Sequence, residues 1–399
     1  MGGISSHFFL NMVDMTNWIP LDDVFSAYYE CRRNKRNTSN ALKFELDYEH
    51  ELVKLWKDIN LRRYEIGRSI CFMVTRPKLR EVFAADFRDR IVHHIIMQRL
   101  EPLFEDLLID STYSCRKGKG TLFGVLDLER QIVERTENWT KPCYVGKFDM
   151  QGFFMTIHKP TLLKKLIDFV EAKYIGPDKE TLIYLIEMVV LNQPQNNCIK
   201  QTPDVYWERL PKNKSLFTCG EEYGLPIGNL TSQCFANFYL DGFDKYVSAI
   251  FGNYGRYVDD FFVLGNNGTE ISKQIKPMSK YLCENLRVRL HRDKVYIQDV
   301  RNGVKFIGGV VKPHRRYVSN RTVHNAFEAV KMFNTNIGNV KPENVMQTMN
   351  SYFGFIKHYK SHRIKKRLID SFTYNRSSTL IFNTKRGIFN VKKRAVQNI

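Results

Sequence analysis

The chain lacks the marks of several function classes. Its eight cysteines (31, 71, 115, 143, 198, 219, 234 and 283) are scattered and include no C-x-x-C pair. That argues against a zinc site and against a disulfide framework, and fits a reducing cytoplasm. No apolar run approaches the ~20 residues of a membrane-spanning helix, so no membrane partner is expected. Ser5–Leu10 is too short an apolar stretch for a secretory signal, and Asn11 and Asp14 interrupt it. No internal repeat is evident. Acidic residues are in deficit, 42 against 61 Lys and Arg, giving a formal net charge of +19. Such an excess points to a polyanionic partner, nucleic acid first and an anionic membrane surface second. With 399 residues and 43% hydrophobic content, the chain is globular and long enough for two or three subdomains around a large core.

What is present centres on Tyr257-Val258-Asp259-Asp260, set in the apolar and aromatic stretch Gly255–Gly265. The flanks read as strand on both sides. In a straight strand Asp259 and Asp260 would point to opposite faces. A tight turn over Val258–Asp260 avoids this, because Asp tolerates the backbone angles of hairpin turns. The expectation is a hairpin with carboxylates at its tip. Upstream, Cys143–Gly146 reads as a short apolar strand leading through Lys147 and Phe148 to Asp149. An isolated Asp-Asp pair is most often a solvated turn. A second strand end carrying Asp149 changes the weighing, because clustered carboxylates repel each other and a divalent cation removes that cost. Mg²⁺ takes one or two carboxylates together with substrate phosphates and water.

Tyr-Val-Asp-Asp after a strand, preceded by Phe148-Asp149-(four residues)-Phe154, resembles the palm of a reverse transcriptase. Further motifs follow in family order across roughly residues 65–312. The resemblance implies an α+β, right-hand polymerase fold: a lead-in over 1–60, fingers over 61–136, a palm over 137–312 with an insertion at about 159–222, and a thumb with a basic tail over 313–399. It implies an RNA-directed DNA polymerase acting by two-metal nucleotidyl transfer. Asp149, Asp259, Asp260 and the Met150 backbone carbonyl would hold two Mg²⁺ ions, with Mn²⁺ able to substitute.

By the same resemblance, Lys78 and Arg80, at the tip of a β-ribbon with Arg76, would lie over the triphosphate. Arg116, in the loop Ser111–Gly120, would grip the incoming nucleotide. Alone, each segment reads equally well as an exposed basic loop. Phe154, five residues after Asp149, would stand under the sugar and exclude a 2′-hydroxyl; otherwise it is a core phenylalanine. Lys294 would assist pyrophosphate departure, or is a surface lysine. Phe306, Ile307, Gly308 and Gly309, in a strand expected over Val304–Val311 after a hairpin turn at Arg301–Gly303, would form the primer grip. His93-His94 could suggest a metal, but adjacent residues on a helix face different ways, so packing or RNA contact is preferred.

The turn Gly224-Leu-Pro-Ile-Gly-Asn-Leu-Thr-Ser-Gln233 refines the resemblance. Most reverse transcriptases have Gln where Ile227 stands, before Gly228, and Pro where Gln233 stands. The Ile-Gly-x-x-x-Ser-Gln form resembles enzymes of diversity-generating retroelements. That subclass implies cDNA copied from a template-repeat RNA with errors mainly at adenines, dNTPs as substrates and an RNA/DNA heteroduplex product. It also implies a small basic accessory variability protein that forms a ring. A retron, group II-like or defence-associated enzyme, and a non-catalytic RNA-binding scaffold, are the alternatives. No Cys- and His-rich endonuclease segment follows the thumb, which disfavours a full-length group II intron enzyme. Residues 193–222 read as loop, Cys234–Tyr246 as one helix and His358–Arg367 as a basic helix.

Overall fold

The computed structural model describes residues 17–33, 38–75, 78–336, 339–373, 380–383 and 388–391. The segment Ser5–Leu10, Arg76, most of the Arg32–Arg36 charge run and most of the Lys385–Arg394 tail lie outside them. Among the described residues the strands are β1 (Ser69–Val74), β2 (Arg80–Ala84), β3 (Tyr144–Asp149), β4 (Cys198–Lys200), β5 (Tyr254–Tyr257), β6 (Asp260–Gly265), β7 (Tyr296–Asp299), β8 (Val304–Phe306), β9 (Gly309–Lys312), β10 (Arg315–Val318), β11 (Leu380–Asn383) and β12 (Ile388–Val391). The chain divides into two compact units. One comprises residues 1–108, 152–241 and 284–288, the other 109–151, 242–283 and 289–399.

The first unit is mostly helical. Helix Phe87–Leu107 is its axis, and Ile91, Ile95, Ile96 and Leu100 are fully buried on it. Asp86 caps that helix, its side chain accepting from the Arg88 N–H. The expected ribbon forms as the antiparallel pair β1–β2, with Val74 opposite Arg80. A third strand, β4, pairs parallel to β1. Residues 193–222 are therefore not all loop; they contain β4 and several short helical turns. His93 is buried against the Thr231 hydroxyl at 2.8 Å, while His94 lies 3.6 Å from Glu30, so the pair packs rather than converging on one ligand.

The second unit holds an antiparallel sheet in the order β5-β6-β3-β7. Both of its faces are covered, which is why β6 reads as a continuous apolar run rather than an alternating one. Val145, Phe262 and Leu264 pack into a core with Val125, Leu128 and Ile132 of helix Thr121–Arg135. On the other face Phe148 and Phe261 stack at 5.0 Å, and Phe243 meets Phe261 edge-on at 5.4 Å. Gly146 serves this face, since a Cβ there would come within 2.6 Å of Ile271.

Several expected boundaries move. Val304–Val311 is not one strand: Ile307 and Gly308 have φ of +34° and +96° and break it into the hairpin β8–β9. The Arg301–Gly303 turn exists, with Gly303 at φ +98°. It joins β7 and β8, which belong to different sheets, rather than closing a hairpin. The helix expected over Cys234–Tyr246 begins at Leu230 and is interrupted at Leu240, giving helices Leu230–Tyr239 and Asp241–Phe251. The basic helix runs His362–Asp370, because the preceding helix ends at Ile356 and residues 357–361 form a non-helical connection.

Candidate active site

Strand register assembles the carboxylates. Asp149, the last residue of β3, is paired with Asp260, the first of β6. Asp260 is also paired with Tyr257 of β5, so Val258 and Asp259 alone form the turn. Two-residue hairpin loops favour positive φ. Here it falls on Val258, at +60°, and not on an aspartate as the sequence suggested. A β-branched residue in this region is costly, on the order of 1–3 kcal/mol, and persists only where its surroundings hold it. The Val258 N–H donates to Ser114 Oγ at 3.2 Å, and the Val258 carbonyl accepts from Arg256 Nη1 at 3.0 Å.

The end of β3 is tied to the same turn. Met150 N–H donates to the Asp259 carbonyl at 3.2 Å. Met150 also bridges Leu290, but the bonds of that bridge are made by its neighbours: His291 N–H to Asp149 O at 2.8 Å and Gln151 N–H to Arg289 O at 2.9 Å. In extended backbone the N–H and C=O of one residue point the same way. The Met150 carbonyl therefore faces the Asp259 side.

The electrostatics follow from this crowding. Burial, then Asp260 and Asp149, push the Asp259 carboxyl up to about 6. Lys294 Nζ donates to Asp149 Oδ2 at 2.8 Å, an ammonium already resting on one carboxylate. Burial lowers the Lys147 ammonium, while Asp260 and Asp149 act against that fall. Crowded carboxylates with oxygen-only donors suit Mg²⁺. Among the described residues no group of three or more His, Cys, Asp or Glu side chains is gathered to hold a metal by itself.

Two fully buried residues that sequence reasoning left out support the turn. Arg256 grips Asp244 with Nε at 2.7 Å and Nη2 at 2.6 Å, and Tyr254 OH donates to the same carboxylate at 2.6 Å. The available signal was a lone Arg inside the apolar Gly255–Gly265 stretch, because a buried guanidinium requires a partner.

The other expected residues of this unit have internal partners. Arg116 Nη1 donates to the Ile109 carbonyl at 2.7 Å and to Thr112 Oγ1 at 2.8 Å, bracing its own loop. Phe306 is buried edge-on to Phe262 at 5.1 Å. The Gly308 carbonyl accepts from Ser319 N–H at 2.8 Å, and a Cβ on Gly309 would come within 2.8 Å of Val125. Ile307 packs half-buried against the same core.

In the first unit, Phe154 and Ile227 are half-buried on a cluster of Cys71, Phe83, Met155 and Leu216. Their backbones are fixed: Phe83 N–H donates to the Ile227 carbonyl at 2.8 Å, and Leu225 N–H to the Phe154 carbonyl at 2.9 Å. Gly228 is exposed at φ +124°, and a Cβ there would lie 2.8 Å from Val82 and 2.9 Å from the Phe83 carbonyl. Gln233 is exposed on helix Leu230–Tyr239, and Lys78 and Arg80 are exposed at the end of the β1–β2 ribbon. Glu81, buried at 1% exposure, accepts from Trp207 Nε1, Ser215 Oγ and the Leu216 N–H at 2.7–2.8 Å. It pins residues 207–216 beside β2, a role the sequence did not disclose.

Comparison with known proteins bears on this arrangement. A family model described as "Reverse transcriptase (RNA-dependent DNA polymerase)" matches residues 76–311. Protein YkfC of Escherichia coli (strain K12) is 22% identical over 296 residues, covering 64% of this chain and 70% of that protein. Among solved structures, apo telomerase from Candida tropicalis is similar with a TM-score of 0.46 and 11% identity, over 78% of this chain and 57% of that one. Telomerase from Candida albicans, in complex with a fragment of telomeric RNA, gives a TM-score of 0.42 and 12% identity, over 83% and 60%. The chain thus spans little more than half the length of those telomerases.

Proposed function

The chain belongs to the reverse transcriptase (RNA-dependent DNA polymerase) family and has an α+β right-hand fold, and from that premise we propose that it is an RNA-directed DNA polymerase serving a diversity-generating retroelement. In this reading it copies a template-repeat RNA into cDNA and errs mainly at template adenines. The observation that carries it is the turn Gly224–Gln233. There Ile227, with no polar group, packs on the same cluster as Phe154, and Gly228 leaves an exposed backbone that tolerates no side chain. A position that reads only shape relaxes discrimination where a hydrogen-bonding side chain would sharpen it.

Asp149, Asp259, Asp260 and the Met150 carbonyl would hold two Mg²⁺ ions in this proposal, and Mn²⁺ could substitute. When bound, the metal supplies charge neutralisation and Lewis acidity for nucleotidyl transfer. The protein's own contribution is positioning. The Met150–Asp259 hydrogen bond fixes the two strand ends against each other, and Lys294 keeps a cation beside Asp149. Lys78, Arg80, Arg116, Phe154, Ile227, Gly228 and Gln233 bind the incoming dNTP, and Phe306 to Gly309 support the primer. The basic segment 313–399 follows the RNA/DNA heteroduplex through its backbone and 2′-hydroxyls. A small basic ring-forming accessory protein and the structured RNA are the expected partners, in the cytoplasm. No helix of the described residues is long and apolar enough to cross a membrane.

The test is primer extension on one defined RNA with Mg²⁺ and dNTPs, followed by sequencing of the cDNA. The proposal expects misincorporation concentrated at template adenines. A low error rate, even across the four bases, would assign the chain to another bacterial reverse-transcriptase class. RNA binding without any extension would leave only the scaffold.

A further inference from the structure

We propose that Arg256, braced by Asp244, is a positioning residue for the catalytic turn: with the Ser114 hydroxyl it holds Val258 left-handed and so sets the direction of Asp259. Arg256 is 0% exposed and meets no solvent, so it acts through what it holds. Its guanidinium divides its donors. Nε and Nη2 take the two oxygens of Asp244, and Nη1 takes the Val258 carbonyl at 3.0 Å. The planar fork makes this division possible; a lysine ammonium on a flexible stem answers Asp244 but does not reproduce the third arm in a fixed plane. A fully buried ion pair adds little net stability over apolar packing. What this pair adds is a rigid donor aimed at the one strained residue of the turn.

The backbone of Arg256 extends the arrangement. Its N–H donates to the Ser111 carbonyl and its carbonyl accepts from Tyr113 N–H, both at 2.9 Å, so the segment Ser111–Ser114 runs beside β5. Ser114 on that segment takes the Val258 N–H at 3.2 Å. Both backbone groups of Val258 are thereby held, one from β5 and one from the loop that continues to Arg116. Gly255 allows the approach, because a Cβ there would lie 2.2 Å from Tyr113 OH. The loop that carries Arg116 is thus tied to the turn by the Ser114 hydroxyl as well as by the backbone bonds to Arg256.

The inference rests on Asp259 being a metal-binding carboxylate of the proposed site. The experiment uses the full chain, with single-nucleotide extension kinetics and a thermal melt for each variant: Ser114→Ala, Arg256→Lys, and each combined with Val258→Gly. Ser114→Ala removes the hydroxyl that accepts from the Val258 N–H; loss of that neutral hydrogen bond is expected to lower kcat about fivefold, with KM for dNTP little changed. Arg256→Lys is expected to lower kcat more. Glycine adopts left-handed backbone without strain, so Val258→Gly added to either variant is expected to recover most of the lost kcat. Losses that merely track the folded fraction, that appear in KM with kcat intact, or that Val258→Gly deepens would overturn the proposal. Incorporation retained by Asp259→Asn would overturn the underlying site instead, and the two failures are separable because that variant leaves Arg256 and Ser114 untouched. Ser114→Ala keeps the test decisive if Arg256→Lys does not fold.

Discussion

Asp149 stands directly opposite Asp260 in the register of β3 and β6, with Asp259 in the turn beside them. β3 ends where β6 begins, so Asp149 and Asp260 lie level, and Asp259 is buried next to them. The consequence is a folded state that is electrostatically uncomfortable without a cation.

That discomfort is measurable. The Asp259 pKa is raised from 3.8 to about 6, above its value in the unfolded chain. The native state therefore retains its proton where the unfolded state has lost it, and stability falls as pH rises through about 4 to 6, with the penalty complete above that window. Asp259→Asn removes the penalty. Thermal melts in chelator are expected to show the variant more stable above pH 6, by at most about 3 kcal/mol, with the gain vanishing near pH 4. A variant less stable than the parent at pH 7.5 in chelator would contradict this.

Lys294 would compete with a metal ion for the Asp149 carboxylate. Its side chain is about half exposed, 46%, and rests on Asp149 Oδ2. Such a pair contributes little, up to about 1 kcal/mol, so Lys294→Met is expected to lower the Mg²⁺ concentration for half-maximal extension by a few-fold at most. A higher Mg²⁺ requirement would show that the lysine helps the metal rather than opposing it.

Phe154 is half-buried on the cluster that also seats Ile227. If its ring excludes a 2′-hydroxyl, Phe154→Val and Phe154→Ala admit ribonucleotides, because the collision that rejects them is removed. The measurement is single-nucleotide extension with dATP against ATP. Unchanged discrimination would return Phe154 to a packing role only.

Ile227→Gln restores a donor and acceptor where the chain has none. One hydrogen bond, about 1 kcal/mol, is about fivefold in a rate ratio. Misincorporation opposite template adenine is expected to fall several-fold, with smaller effects at the other bases. The check is cDNA sequencing at matched extension. An equal change at all four bases would mean that Ile227 affects general grip.

The carboxylate site was legible because its signals are local: a strand, an acidic residue at its end and an Asp-Asp turn between apolar runs. The turn's conformation was less so. Positive φ was attributed to aspartate by propensity, yet it falls on Val258, whose strain is offset by Ser114, a residue 144 positions away in sequence. Long-range pairing was the general obstacle. β4 joins β1 across more than a hundred residues, with Ser69 opposite Cys198, and no local pattern signals it. Gly308 and Gly309 read as a smooth strand, but a bond to Ser319 and close packing on Val125 make them a turn and a contact point. The partnership of Arg256 and Asp244 was likewise invisible, since neither residue names its partner.

We propose that Asp149, Asp259 and Asp260 carry the polymerase chemistry. This claim is tested most directly by primer extension with the Asp259→Asn, Asp260→Asn double variant, run beside an RNA-binding titration. The account predicts that incorporation is abolished while RNA binding persists and weakens steeply with salt, because binding comes from the net charge of +19. Incorporation by the double variant at a rate comparable to the parent would contradict it.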